Sequence, residues 1–156
     1  MGAWFRWLRD LWLGRRLLGQ TTERATAVLT AAPVPLFTIS GGRIKVTQII
    51  GEITTGMQVL LTNVRLQSNP TVGTTRNLCV NTNISGYAIG DLLGIDGINT
   101  SALLPPASSG VVEAQTMGVI VKAGTIDVIS SAAPTGSIRW TLKWVPIDAG
   151  AAVVAA

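Results

Sequence analysis

The hydrophobic pattern divides this chain into segments of different period. Between Met1 and Leu18, the residues Trp4, Trp7, Leu8, Leu11 and Leu18 recur at helical spacing, whereas Arg6, Arg9, Asp10 and Arg16 fall off that face. This predicts an amphipathic, Trp/Arg-rich helix over residues 1–18, with Arg15 intruding on the apolar stripe and Leu13 and Leu17 on its flanks. Residues 19–35 lose the pattern. Gln20 to Arg24 are polar, and Pro33-Val34-Pro35 favours extended backbone over a helix interior. The segment reads as a linker or extended arm, in which Ala25 to Leu29 admits one more short helix.

From Leu36 the period becomes two. Phe37 and Ile39 precede Ser40-Gly41-Gly42-Arg43, and Ile44 and Val46 follow in alternation with Lys45 and Thr47, which predicts a β-hairpin. Gln58 to Leu66 reads as a half-buried strand with Leu60, Val64 and Leu66 on one face. Arg76 to Ile84 reads the same way, with Leu78, Val80 and Ile84 inward and Cys79 on the more polar face. Ser85 to Gly110 is punctuated by glycines and prolines and predicts loops and short strands. Val119–Val121, Thr125–Ile129 and Ile138–Val145, separated by Lys122-Ala123-Gly124 and Pro134-Thr135-Gly136, predict an antiparallel meander. In the last of these strands Trp140, Leu142 and Trp144 face one way and Arg139, Thr141 and Lys143 the other, the alternation of a sheet with one buried face. The β domain thus spans residues 36–148, and residues 149–156 form a small apolar tail. About seven short strands and no sustained helix after residue 30 predict a mainly β fold: an antiparallel β-sandwich, jelly roll or small barrel behind an N-terminal helix and arm.

Composition supports strands and removes most chemistry. Ile, Val and Thr number 14, 15 and 18 of the 156 residues, and charged residues are only 13%, against roughly 25% in an average soluble domain. With no histidine and one cysteine, Cys79, a His-containing triad, a His-ligated metal, a Cys-rich zinc site and an intrachain disulfide are excluded by counting. Asp91 and Asp96 lack the dense oxygen ligands of a calcium loop and read as turn residues; Cys79 reads as a weakly exposed thiol or a small packed residue at a subunit contact. The sequons at Asn83 and Asn99 are short enough to arise by chance in so Thr- and Asn-rich a chain. No phosphate-binding glycine fingerprint occurs. No catalytic, cofactor-binding or metal-binding residue is assigned.

The formal charge of +4 is concentrated at the front: Arg6, Arg9, Arg15, Arg16 and Arg24 oppose only Asp10 and Glu23. The remainder holds seven basic and six acidic residues, so no basic face for nucleic acid is expected. Arg6, Arg9 and Asp10 interrupt any secretory apolar run, and the longest charge-free stretch, between Arg24 and Arg43, contains prolines and glycines unsuited to a membrane-spanning helix. The first segment calls for a partner. Its Trp and Arg content suits the centre of a protein interface, a lipid headgroup layer, or packing against its own or a sister domain. The candidate partner-binding residues are Trp4, Trp7, Leu8 and Leu11 with Arg6, Arg9, Arg15 and Arg16.

Phe37 to Val46, Ile50-Gly51-Glu52-Ile53 and the closing stretch Gly136 to Gly150 resemble the small β-rich structural proteins encoded near the capsid genes of tailed bacteriophages. The resemblance covers residues 36–150, with its phrasing at the two ends. It implies a virion component at the capsid surface: a decoration or cement protein, homotrimeric, bound where major capsid subunits meet. The alternatives are a minor neck or fibre-base component and a membrane-surface β module anchored by the N-terminal helix.

Overall fold

The structure, a computed structural model, describes residues 19–156; the helix expected over residues 1–18 lies outside them. The described chain is all β and antiparallel. Its strands are β1 (Gln20–Val28), β2 (Val34–Ser40), β3 (Ile44–Thr55), β4 (Asn63–Pro70), β5 (Arg76–Asn77), β6 (Thr82–Asn83), β7 (Leu92–Gly94), β8 (Val119–Val121), β9 (Gly124–Ser130), β10 (Ser137–Pro146) and β11 (Ala152–Ala155). One sheet runs β1-β10-β3-β7, with β8 also on β3; the other runs β11-β2-β9-β4-β5, with β6 also on β4. Their inward side chains form one core, consistent with the expected β-sandwich.

The core is built from alternation. Along β10, Trp140, Leu142 and Trp144 are buried as the sequence predicts, and the indole N–H of Trp144 donates to the Thr22 hydroxyl on β1 at 3.0 Å. Trp140 lies opposite Gly51 on β3, where a Cβ would stand 2.8 Å from the indole ring, so the missing side chain at Gly51 makes the space the ring fills. Phe37, Ile39, Leu66, Ile126 and Val128 supply the facing layer.

Several expectations are corrected, for one recurring reason: an alternating pattern identifies a strand but not the sheet it joins. The predicted hairpin across Gly41-Gly42 is a corner, because β2 pairs with β9 and β11 while β3 pairs with β10. Gly41, at φ 70°, packs so closely on the Gly150 carbonyl that a Cβ would come within 2.1 Å of it. The predicted meander is likewise split: β8 and β10 lie in one sheet and β9 in the other. The turns at Lys122-Ala123-Gly124 and Pro134-Thr135-Gly136 therefore pass from one sheet to the other, about 10 Å, instead of joining paired strands roughly 4.8 Å apart.

The segment expected as a linker or arm is extended, but residues 20–28 are hydrogen-bonded to β10 from Gln20↔Trp144 to Val28↔Ser137. The short helix allowed over Ala25 to Leu29 is absent, since Ala25 to Val28 lie within this strand. Its polar alternation hid it, because an edge strand needs few apolar residues. The tail is also a strand: Ala152 to Ala155 pair with β2. Strand pairing begins at Asn63, not Gln58, and the predicted strand over 76–84 survives only as β5 and β6. Between them the chain leaves the sheet, so Leu78 and Cys79 are both buried while Val80 is exposed. Cys79 is thus a residue of its own core, neither an exposed thiol nor a subunit contact. Its Sγ accepts the Leu66 N–H at 3.2 Å, and burial pushes the thiol up to about 11, which keeps it protonated and unreactive at neutral pH.

Candidate interaction surface

The expected partner-binding residues Trp4, Trp7, Leu8, Leu11, Arg6, Arg9, Arg15 and Arg16 lie outside the described residues. What the structure places is the point from which they depart: Gly19, at φ 81°, packed under the Trp144 carbonyl at the start of β1.

The strand registers define a second surface at the opposite end of the domain. The last residue of β1 faces the first of β10, which faces the last of β3. In the other sheet, the start of β2 and the start of β4 both face the end of β9. The links β1–β2, β3–β4 and β9–β10 therefore cross from sheet to sheet at one common end. Two more loops are tied to it: Gly90 N–H donates to the Ile53 carbonyl and Met57 N–H to the Tyr87 carbonyl, while Leu92 N–H donates to the Ser109 carbonyl.

Across these five loops, residues 28–35, 55–62, 84–90, 104–112 and 131–137 contain no charged side chain. The bordering acids are Asp91, whose Oδ2 accepts the Ala88 N–H at 2.6 Å, and Glu113. The end is nevertheless rich in exposed apolar groups. Val59 is 95% exposed, Ile89 72%, Val111 69% and Leu61 67%, and Val28 and Leu60 in the same set of loops are exposed too. Single exposed aliphatics need no explanation, but several gathered at one uncharged end of a domain point to an interaction surface.

The opposite end carries an ion pair, Arg43 with Asp148. Asp148 accepts the backbone N–H of Arg43 at 2.8 Å, its Nε at 2.9 Å and its Nη2 at 2.7 Å, a fork that also pins the β2–β3 corner to the segment before β11. Hydrogen bonds from the Arg43 side chain and backbone hold the Asp148 carboxyl down at about 2. Its folded value lies below the unfolded one, so this contribution to stability is complete above about pH 4 and is lost as the pH falls through 2. Asp148→Asn is therefore expected to lower the thermal midpoint modestly at pH 7, with the difference from the parent chain vanishing near pH 2. Melting curves at the two pH values check this.

The remaining polar candidates are spent locally. Asp96 Oδ1 accepts the Ile98 N–H at 2.7 Å, and Asn83 Oδ1 accepts the N–H groups of Ser85 and Thr62. Among the described residues no group of three or more His, Cys, Asp or Glu is placed to hold a metal ion. The sequence does not reveal the apolar end, because the alternation places Leu60 on the inner face of a strand. The available signal was Val59-Leu60-Leu61, three consecutive apolar residues that break the period of two.

No family model and no curated protein matches the chain. Among solved structures it is similar to a chain in the structure of infectious bursal disease virus Gx strain, at 13% identity and a TM-score of 0.18. The match covers 86% of this chain and 33% of that one, so the chain spans about a third of the length of the protein it matches. At that TM-score the likeness bears on neither fold nor function.

Proposed function

We propose that this chain is a non-enzymatic virion structural protein: a capsid decoration, or cement, protein that acts as a homotrimer and stabilises a phage head by bridging major capsid subunits. The observation that carries the reading is the uncharged apolar end, where Val59, Leu61, Ile89 and Val111 stand in water on the single chain. Withdrawing such side chains from water contributes on the order of 1 kcal/mol or more apiece. Three copies meeting at this end would remove the patch from solvent, and a closed ring would leave none of this end free to recruit further copies. The resemblance of residues 36–150 to phage structural proteins, and the lack of any His- or Cys-based chemistry, support the same reading.

In this account the uncharged end joins the copies, and residues 1–18, leaving from the opposite end at Gly19, bring Trp4, Trp7, Leu8 and Leu11 to the capsid. Three arms on one trimer convert modest single-arm affinity into tight retention. The membrane alternative gains little from the apolar end, which has neither the cations nor the exposed Trp or Tyr that favour a headgroup layer.

The test is co-sedimentation with heads assembled from the major capsid protein of the same virion. The deletion that isolates the arm must stop at residue 18, because residues 20–28 are β1 and their removal strips an edge from the sheet. Full-length protein is expected to pellet with the heads, and the chain lacking residues 1–18 is expected to stay folded and remain in the supernatant. Full occupancy by the truncated chain would refute the role of the arm; failure of the full-length chain to bind would refute the decoration reading.

A further inference from the structure

On the side of the domain away from β1 and β11, each sheet finishes in a short strand: β8 on β3 and β5 on β4. A groove runs between them. Its main part has a volume of about 490 Å³, and a continuation toward Ser68 and Pro70 adds about 180 Å³. Leu78, Val119 and Ile120 line both parts, and Ile98 and Met117 line the main part. Ile120 and Met117 are more than half exposed, so the groove presents apolar surface to solvent. Its charge has one sign. Arg76 lines both parts, Lys122 lines the continuation, and none of the lining residues is acidic. The carboxylate nearest in sequence, Asp96, turns back onto the Ile98 N–H.

We propose that this groove binds an extended segment of another protein whose apolar side chains alternate with carboxylates. Three features select that occupant. The groove is flanked by two strands that are each paired on one side only among the described residues, so an extended peptide can lie along a strand edge. Its apolar floor takes alternate side chains of an extended chain. Arg76 and Lys122 then meet the carboxylates; Lys122 donates one hydrogen bond to the Val72 carbonyl at 3.3 Å and keeps two donors for a ligand. The same charges exclude other occupants. Residues 1–18 carry four arginines against one aspartate and are repelled. Single-stranded nucleic acid stacks on aromatic rings, and the lining has none. The site lies away from the uncharged end and does not depend on the decoration reading.

The probe is a fluorescein-labelled, acetylated peptide of sequence Glu-Val-Asp-Leu-Glu-Val, titrated with the full-length protein and read by polarisation. A second peptide replaces each acid with lysine. Saturable binding of the acidic peptide is expected, weakened about ten-fold or more by Arg76→Glu, by Lys122→Glu and by Ile120→Asp, and weakened by salt. All three positions are exposed or at the surface, so unchanged melting curves separate lost binding from lost folding. The inference is overturned if the acidic peptide shows no saturable binding up to about 1 mM. It is overturned equally if the lysine peptide or a peptide of residues 1–18 binds as tightly, or if the three variants bind like the parent chain.

Discussion

Trp140→Ala is expected to remove about 3–5 kcal/mol of folding stability, a large part of the roughly 5–15 kcal/mol that holds a typical domain. Trp140 is 1% exposed and sits mid-strand in β10, which pairs with β1 on one side and β3 on the other. Its truncation leaves a hole that the two neighbouring strands cannot fill without giving up their ladders. The converse change, Gly51→Val, is expected to cost about 1–3 kcal/mol by overpacking, because even a Cβ at residue 51 would lie 2.8 Å from the indole. Combining the two is expected to cost less than their sum, since the valine enters the space the ring vacates. Urea unfolding followed by far-ultraviolet circular dichroism measures all three. A loss below about 1 kcal/mol for Trp140→Ala would contradict the placement of the ring in the core.

The second large effect concerns assembly. If the proposed trimer forms through the uncharged end, the double variant Val59→Asp, Leu61→Asp is expected to convert it into a monomer, weakening association by at least about 100-fold, while leaving the melting curve of the domain nearly unchanged. Val59 is 95% exposed and Leu61 67%, so neither contributes much to the single chain's own core. In a trimer, six new carboxylates would be pressed together among loops that carry no cation of their own. Desolvation and like-charge repulsion each cost several kcal/mol in such a setting. Sedimentation velocity across a concentration series reads the outcome, and a variant that associates like the parent chain would place the interface elsewhere. As a control, Val154→Asp on β11, also exposed but away from this end, is expected to leave association intact.

Much of the strand content was legible because burial on one face imposes a period of two. β10 is the clearest instance: its Trp-Thr-Leu-Lys-Trp alternation names both the strand and its inward residues. What the pattern could not carry was partnership. Ile39 and Ile44 alternate equally well in a hairpin and on either side of a corner, and only the long-range pairings of β2 with β9 and of β3 with β10 decide between them. Edge strands escaped for a different reason. Gln20 to Val28 and Ala152 to Ala155 lie at the margins of their sheets, where few side chains are buried, so neither shows a strong apolar repeat. Alternation places Cys79 on the polar face, but the strand expected through it is interrupted, and alternation has no meaning across the break. The apolar end was hidden by its assembly from five loops distant in sequence. Apart from the Val59-Leu60-Leu61 run none stands out alone, and their shared lack of charge becomes visible only when the register brings them together.

The most direct test of the account is the mass of the full-length protein in solution, measured by sedimentation equilibrium with light scattering at micromolar concentration. A single species three times the chain mass of 16.3 kDa is the expected result, and its loss in the Val59→Asp, Leu61→Asp variant would assign the interface to the uncharged end. A clean monomer of 16.3 kDa, with its apolar end soluble and unpaired, would contradict it.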